Sequence, residues 1–184
     1  MKRLFDIFFS IVLIFILCPL FGLIAIAVFL QDRGPVFFKQ KRVGYKGKMF
    51  FMLKFRTMIV EAEQKGTYFT KDNDSRITKL GKVLRKSSLD ELPQLLNVLI
   101  GDMSFVGPRP DVIQQKELYT DDEWRSRCSV RPGITGLAQA TLRSQATIEE
   151  RKSMDLQYVK NKSFLFDLKI ILLTLKQIIT KGGN

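Results

Sequence analysis

Residues 2–30 read KRLFDIFFSIVLIFILCPLFGLIAIAVFL, and the reading of this stretch decides the fold. From Leu4 to Leu30 it is almost wholly apolar, interrupted by Asp6, Ser10, Pro19 and Gly22, and Ile11 to Leu30 carries no charge. Such a run meets the length of a membrane-spanning helix. It is too long for a secretory signal peptide, and no small-residue cleavage pattern follows it. Two features compete with a spanning helix. Cations flank both ends, Lys2 and Arg3 before and Arg33, Lys39, Lys41 and Arg42 after, so the positive-inside rule gives no direction. Pro19 removes a backbone donor in mid-segment and disfavours helix at Cys18. The arms Leu4–Cys18 and Pro19–Leu30 would each reach only ~18–22 Å at 1.5 Å per residue, short of ~30 Å of hydrocarbon. A spanning helix and a re-entrant hairpin that turns at Cys18-Pro19 are equally open on these grounds.

The whole chain has 184 residues, enough for one modest body beyond that segment. Lys plus Arg number 30 against 18 for Asp plus Glu, a net charge of +12 that calls for polyanionic partners. Trp124 and the four tyrosines do not interleave with the basic runs, which argues against nucleic acid. Histidine is absent. That excludes His-based nucleophile activation, His proton shuttles and His-ligated metals. The two cysteines, Cys18 and Cys128, form neither a metal-ligand nor a redox spacing.

From Gln31 onward the pattern is that of a small α/β or α+β body. Val36–Arg42 and Met49–Phe55 flank Gly44-Tyr45-Lys46-Gly47 as a β-hairpin. On its second strand Met52, Lys54 and Arg56 share one face, and Phe51, Leu53 and Phe55 the other. Gly66–Asp74 is polar and reads as a loop. Thr78–Lys86 and Ser88–Ile100 read as helices, and Gly101–Asp111 and Arg131–Gly136 as loops. Near the end Leu165, Leu168, Leu172, Leu175 and Ile179 recur at helical spacing between Phe164 and Thr180. That stripe fits a buried core helix, or a helix in the membrane interface, for which the extra apolar Ile170 and Leu173 speak.

Four cationic groupings fall on polar or Gly/Pro-rich segments: Lys54 with Arg56, Arg76 with Lys79, Arg85 with Lys86, and Arg109. Arg109 stands out, because Pro108 and Pro110 stiffen the chain on both sides and allow its fork to be aimed cheaply. Ser88-Leu89-Asp90-Glu91 reads structurally as a capping box, with Ser88 as N-cap and Pro93 early in the helix. The same two carboxylates beside several cations could instead hold Mg²⁺ or attack phosphorus. Spacing alone does not choose between these.

Four segments carry a resemblance. Lys54-Phe55-Arg56-Thr57-Met58, Ser87-Ser88-Leu89-Asp90-Glu91-Leu92-Pro93-Gln94, Gly101 to Pro110 (GDMSFVGPRP) and Arg131 to Gln139 (RPGITGLAQ) stand in the order found in bacterial sugar transferases. The chain resembles that family, the small monotopic phosphoglycosyltransferases, from the membrane segment to Lys176. The resemblance implies transfer of a sugar 1-phosphate from a UDP-sugar to a polyprenyl (undecaprenyl) phosphate, with release of UMP. It implies Mg²⁺ as cofactor, and a place on the cytoplasmic face of the inner membrane. Residue by residue, it makes Asp90 the nucleophile that forms a phosphosugar–aspartyl intermediate, with Glu91 as its partner and both at the metal. Lys54, Arg85, Arg109 and Arg143 fall at phosphate or donor positions, and Cys18-Pro19 at the membrane helix break.

The expected architecture is therefore α+β. Residues 1–31 form a re-entrant membrane helix hairpin, and residues 32–184 form a cytoplasmic catalytic domain with a β-hairpin, interfacial amphipathic helices and a C-terminal amphipathic helix. The sequence departs from the family in two places. Cys18-Pro19 replaces a Ser-Pro, and Thr141-Leu142-Arg143-Ser144 replaces Asn-Gly-Arg-Asn, a change that bears on sugar identity.

Overall fold

The apolar run folds as one α-helix, α1 (Lys2–Asp32), in a computed structural model that describes residues 1–62, 74–142 and 147–181. Pro19 lies inside α1, so the break expected at Cys18-Pro19 is not a loss of helix. Proline deletes one hydrogen bond, whereas ending the helix there would strip several backbone groups that have no other partner in an apolar setting. The polar interruptions of the run are where the body grips it. Asp6 and Ser10 are both buried, and Asp6 Oδ1 accepts from Ser104 Oγ at 3.1 Å and from the Phe105 amide at 3.2 Å. Lys2 Nζ reaches the Val106 carbonyl, Tyr158 Oη and Asp167 Oδ2 at 2.6–2.8 Å. The far end of α1 is held as well, by a salt bridge from Arg56 to Asp32 and by Ile24 and Val28 packed on Phe55 and Leu84. Between these anchors the outer face is apolar, with Phe15 82% exposed.

The expected hairpin is present. Strands β1 (Phe37–Val43) and β2 (Met49–Phe55) pair antiparallel from Phe37↔Phe55 to Val43↔Met49, joined through a 3₁₀ turn at Tyr45–Gly47. Phe50 and Met52 turn inward against Val98 and Met103, and Phe51 faces out. Helix α2 (Lys79–Lys86) also appears as expected, with Thr78 Oγ1 capping the Gly81 amide. The polar loop read at Gly66–Asp74 lies, up to residue 73, outside the described residues.

Ser88–Ile100 is not one helix. It divides into a 3₁₀ turn, Leu89–Glu91, and helix α3 (Gln94–Ile100). Ser88 is left-handed at φ 57° and its side chain caps nothing, which overturns the capping box. Two causes combine. Pro93 has no N–H to continue the ladder, and Glu91 is drawn to cations across the chain. The two expected loops hold short strands, β3 (Ser104–Val106) and β4 (Gly133–Thr135), which pair parallel. Three residues are too few for an alternation to show. Gly107 is required here, since a Cβ would lie 2.3 Å from the Arg131 carbonyl oxygen.

Two further helices carry site residues, α4 (Asp121–Arg127) and α6 (Ile148–Asn161), with short α5 (Leu137–Thr141) between them. The final helix α7 (Phe164–Lys181) is rotated from the buried-core expectation. Leu165, Leu172 and Leu175 are 50–77% exposed, while Asp167 and Ile170 face the body. Polar anchors set this rotation: Asp167 to Lys2 and Tyr158, Thr174 to Thr135, and Gln177 to the Ala140 carbonyl.

Candidate active site

The dyad turn sits where three segments meet. The left-handed Ser88 reverses the chain after α2 and presents Asp90 and Glu91 toward the end of β2. Non-glycine residues in that conformation carry strain that persists where the surroundings enforce it. Lys54, following Met52 on the inward face of β2, places Nζ 2.7 Å from Glu91 Oε1 and 3.9 Å from Asp90 Oδ2. Arg109 comes from the loop after β3, and its Nη2 donates to the same Glu91 oxygen at 2.7 Å. Arg85, on the last turn of α2, donates through Nε to Thr57 Oγ1 at 2.9 Å. It is close enough to Asp90 to act on its charge.

The two carboxylates are treated oppositely. Asp90 is buried, and burial pushes its pKa above the ordinary carboxylate value; Lys54 pulls it down, Glu91 pushes it up, and Arg85 and Arg109 pull it down. Burial alone would raise Glu91 too, but Arg109 and Lys54 outweigh it and hold Glu91 well below the usual range. Glu91 is thus a fixed anion that orients two cations. Asp90 is the carboxylate with capacity to spare, since it accepts no hydrogen bond among the described residues.

A cleft of about 750 Å³ opens beside the turn. Its lining includes Glu91 and Arg109, the apolar Leu13 and Leu17 of α1, and the polar Gln139 and Arg151. Arg109 keeps 38% of its side chain exposed while paired, so its fork has donors left for a ligand. Its backbone is clamped from behind. Arg127 donates to the Arg109 carbonyl and pairs with Asp111 and Asp155 at 3.0 Å, all three buried. The arrangement suits an anionic, phosphate-bearing group approached by a carboxylate.

A family model described as bacterial sugar transferase matches residues 1–181. The chain belongs to the bacterial sugar transferase family. It is 46% identical over its whole length to an uncharacterized sugar transferase, EpsL, of Bacillus subtilis, covering 89% of that protein. It is 39% identical to the exopolysaccharide production protein ExoY of Sinorhizobium fredii, again over its whole length and over 87% of the relative. A third relative, the UDP-glucose:undecaprenyl-phosphate glucose-1-phosphate transferase of Escherichia coli, is 41% identical over this whole chain, which spans only 41% of that longer protein. The sugar transferase is thus an enzyme of the phosphoglycosyltransferase class.

Of the residues singled out by sequence, the sugar transferase brings Asp90, Glu91, Lys54, Arg85 and Arg109 together. Arg143 lies outside the described residues. Arg56 is not with Lys54: it leaves the strand end for Asp32 and the Pro35 carbonyl, and fastens α1. Arg76 is held by Asp74. Sequence reasoning passed over Arg127, Asp155 and Arg151. Their helices were signalled, since Thr120-Asp121-Asp122-Glu123 and Thr147-Ile148-Glu149-Glu150 both form the capping boxes that announce a start. Among the described residues no three acidic or thiol groups gather as a metal cage. Mg²⁺ does not need one, because it binds through one or two carboxylates plus substrate phosphates. Asp90 and the second oxygen of Glu91 fit that demand.

Proposed function

We propose that this sugar transferase moves a sugar 1-phosphate from a UDP-sugar to a polyprenyl phosphate such as undecaprenyl phosphate, releasing UMP. One observation carries the reading. A buried carboxylate, Asp90, ringed by Lys54, Arg85 and Arg109, stands next to Glu91, which lines a cleft together with Arg109 and with Leu13 and Leu17 of α1. One carboxylate of the dyad, a cation beside it and the apolar helix α1 thus line one cavity. The naming of relatives as UDP-glucose:undecaprenyl-phosphate glucose-1-phosphate transferases supports the same donor and acceptor classes.

In this reaction an Asp90 oxygen attacks the β-phosphorus of the donor. A P–O bond to the carboxylate forms, the bond to the α-phosphate breaks, and UMP leaves with the electron pair. The polyprenyl phosphate oxygen then attacks the same phosphorus and expels Asp90. Neither step takes a proton from Asp90, which is why a chain without histidine can perform it. Lys54 and Arg109, aligned by Glu91, face the charge on the transferring group. Mg²⁺, held by Asp90 and Glu91 with the donor phosphates, would supply further neutralisation of that charge.

The membrane reading is that α1 enters and leaves the same leaflet. Both of its ends are fastened to one body, at Lys2 and Asp6 and again at Asp32. A spanning helix would carry one end ~30 Å away from that body. The outward apolar face of α1 and the exposed leucines of α7 then lie in the membrane at the cytoplasmic side. The test is release of UMP by the detergent-purified protein, given undecaprenyl phosphate, Mg²⁺ and a panel of UDP-sugars. Release with at least one sugar is expected, and release with none overturns the reading.

A further inference from the structure

Two of the cations nearest the dyad are already paired. Lys54 and Arg109 both spend a donor on Glu91. Arg151, one turn into α6, is different. It lines the cleft half-buried, yet among the described residues its side chain makes no ion pair and no hydrogen bond. Its charge is felt by Asp155, but that carboxylate is bonded to Arg127. An arginine left unpaired against a low-dielectric wall has a fork of donors without acceptors.

A second, independent observation lies in the same cleft. Gln139 also lines the cleft, and both its Nε2 and its Oε1 are shut off from water without any hydrogen-bond partner. A buried amide unsatisfied at both atoms is uncommon and calls for a partner. The amide stands against the backbone at Gly136, where a Cβ would come 2.7 Å from Oε1 and 2.3 Å from the Gly107 carbonyl. It therefore sits beside the loop that carries Arg109. Gln139 holds one donor group and one acceptor unspent in the cleft lining, which a turn of its side chain would bring to a ligand, while Arg151 offers charge.

We infer that Arg151 and Gln139 form the nucleotide pole of the donor site, with Arg151 on the phosphate that departs as UMP and Gln139 on a neutral hydrogen-bonding edge of the same nucleotide. The inference rests on the proposed use of a UDP-sugar. Its physical basis is a division of labour. The transferring phosphate faces cations fixed by Glu91, and the leaving phosphate, which gains charge as its bond breaks, meets a cation that no protein carboxylate has neutralised. Arg151→Lys keeps the charge and loses the fork, so it falls between wild type and Arg151→Ala.

The experiment compares full-length wild type with Arg151→Ala, Arg151→Lys and Gln139→Ala, after matching their melting temperatures. Two readouts are taken: KM for UDP-glucose or the best UDP-sugar against KM for undecaprenyl phosphate, and binding of UMP by calorimetry. Arg151→Ala is expected to raise the donor KM and the UMP Kd together by roughly 10- to 100-fold, with the acceptor KM unchanged. Gln139→Ala is expected to move both in the same direction by less. Donor KM and UMP binding within twofold of wild type in Arg151→Ala would overturn the inference, as would a change confined to the acceptor KM. Failure of the functional reading looks different, because wild type itself then releases no UMP. UMP binding still decides the inference in that case: binding weakened in Arg151→Ala supports it, and no UMP binding by wild type overturns it. A variant too unstable to compare is replaced by Arg151→Lys, for which an unchanged UMP Kd overturns the inference.

Discussion

Arg109 Nη2 donates to Glu91 Oε1 at 2.7 Å, which ties the loop after β3 to the turn that carries Asp90. The pairing sets two positions at once. It keeps Glu91 ionised, and it holds the guanidinium beside Asp90 with part of its fork still exposed. Lys54 reaches the same oxygen from the opposite element, so neither cation can drift without releasing Glu91.

Arg109→Lys tests the geometry rather than the charge. An ammonium cannot hold Glu91 and a phosphate oxygen in one plane. Loss of one charge-assisted contact corresponds to about 1.5–3 kcal/mol, or about one to two decades in kcat/KM. Steady-state UMP release checks this, and wild-type kinetics would leave Arg109 a structural loop residue.

The clasp between Asp32 and Arg56 predicts a pH-dependent stability. Its hydrogen bond to Arg56 holds the Asp32 pKa below the ordinary value of 3.8. A depressed carboxylate contributes stability in full above its unfolded pKa and loses it as pH falls through the folded one. Asp32→Asn should therefore melt below wild type at pH 7 in detergent, and the gap should close as pH drops below 3.8 toward the folded pKa. A gap that stays constant down that range would remove Asp32 ionisation from the hold on α1.

Much of this protein is legible in its sequence, though unevenly. The hairpin and α2 are plain because alternation at Phe50 and Met52 and a Thr78 cap mark them locally. Glu91 is ambiguous by nature. The spacing from Ser88 to Glu91 is that of a capping box, and only the arrival of Lys54 and Arg109 from distant segments turns it into an ion-pair centre. The resemblance, not the spacing, selected Asp90. Leu165, Leu172 and Leu175 form the best apolar stripe of α7, yet they face outward, because Asp167 and Thr174 have partners in the body. The Arg127 cluster joins residues from a loop and two helices, and no local pattern announces it.

Topology gives a further prediction. With Cys18 and Cys128 replaced, cysteines introduced as Met1→Cys and Lys48→Cys, both exposed positions, should each resist a membrane-impermeant thiol reagent in intact cells. Both should react together once the cytoplasmic side is opened. Pro19→Ala should restore the backbone donor that proline withholds within α1, stiffen that helix of ~46 Å at 1.5 Å per residue, and expose part of the Met1→Cys population outside. Labelling of Met1→Cys alone from the outside, with Pro19 intact, would establish a spanning helix.

Covalent transfer through Asp90 is tested most directly by a single turnover in which the acceptor is withheld. Purified protein mixed with Mg²⁺ and its UDP-sugar, without polyprenyl phosphate, should release one UMP per active enzyme and then stop. Mass spectrometry of the protein should place a sugar-phosphate on the peptide containing Asp90, and addition of undecaprenyl phosphate should discharge it. Asp90→Asn should give neither the burst nor the adduct. No UMP without acceptor, or a burst that survives in Asp90→Asn, would contradict a covalent role for Asp90.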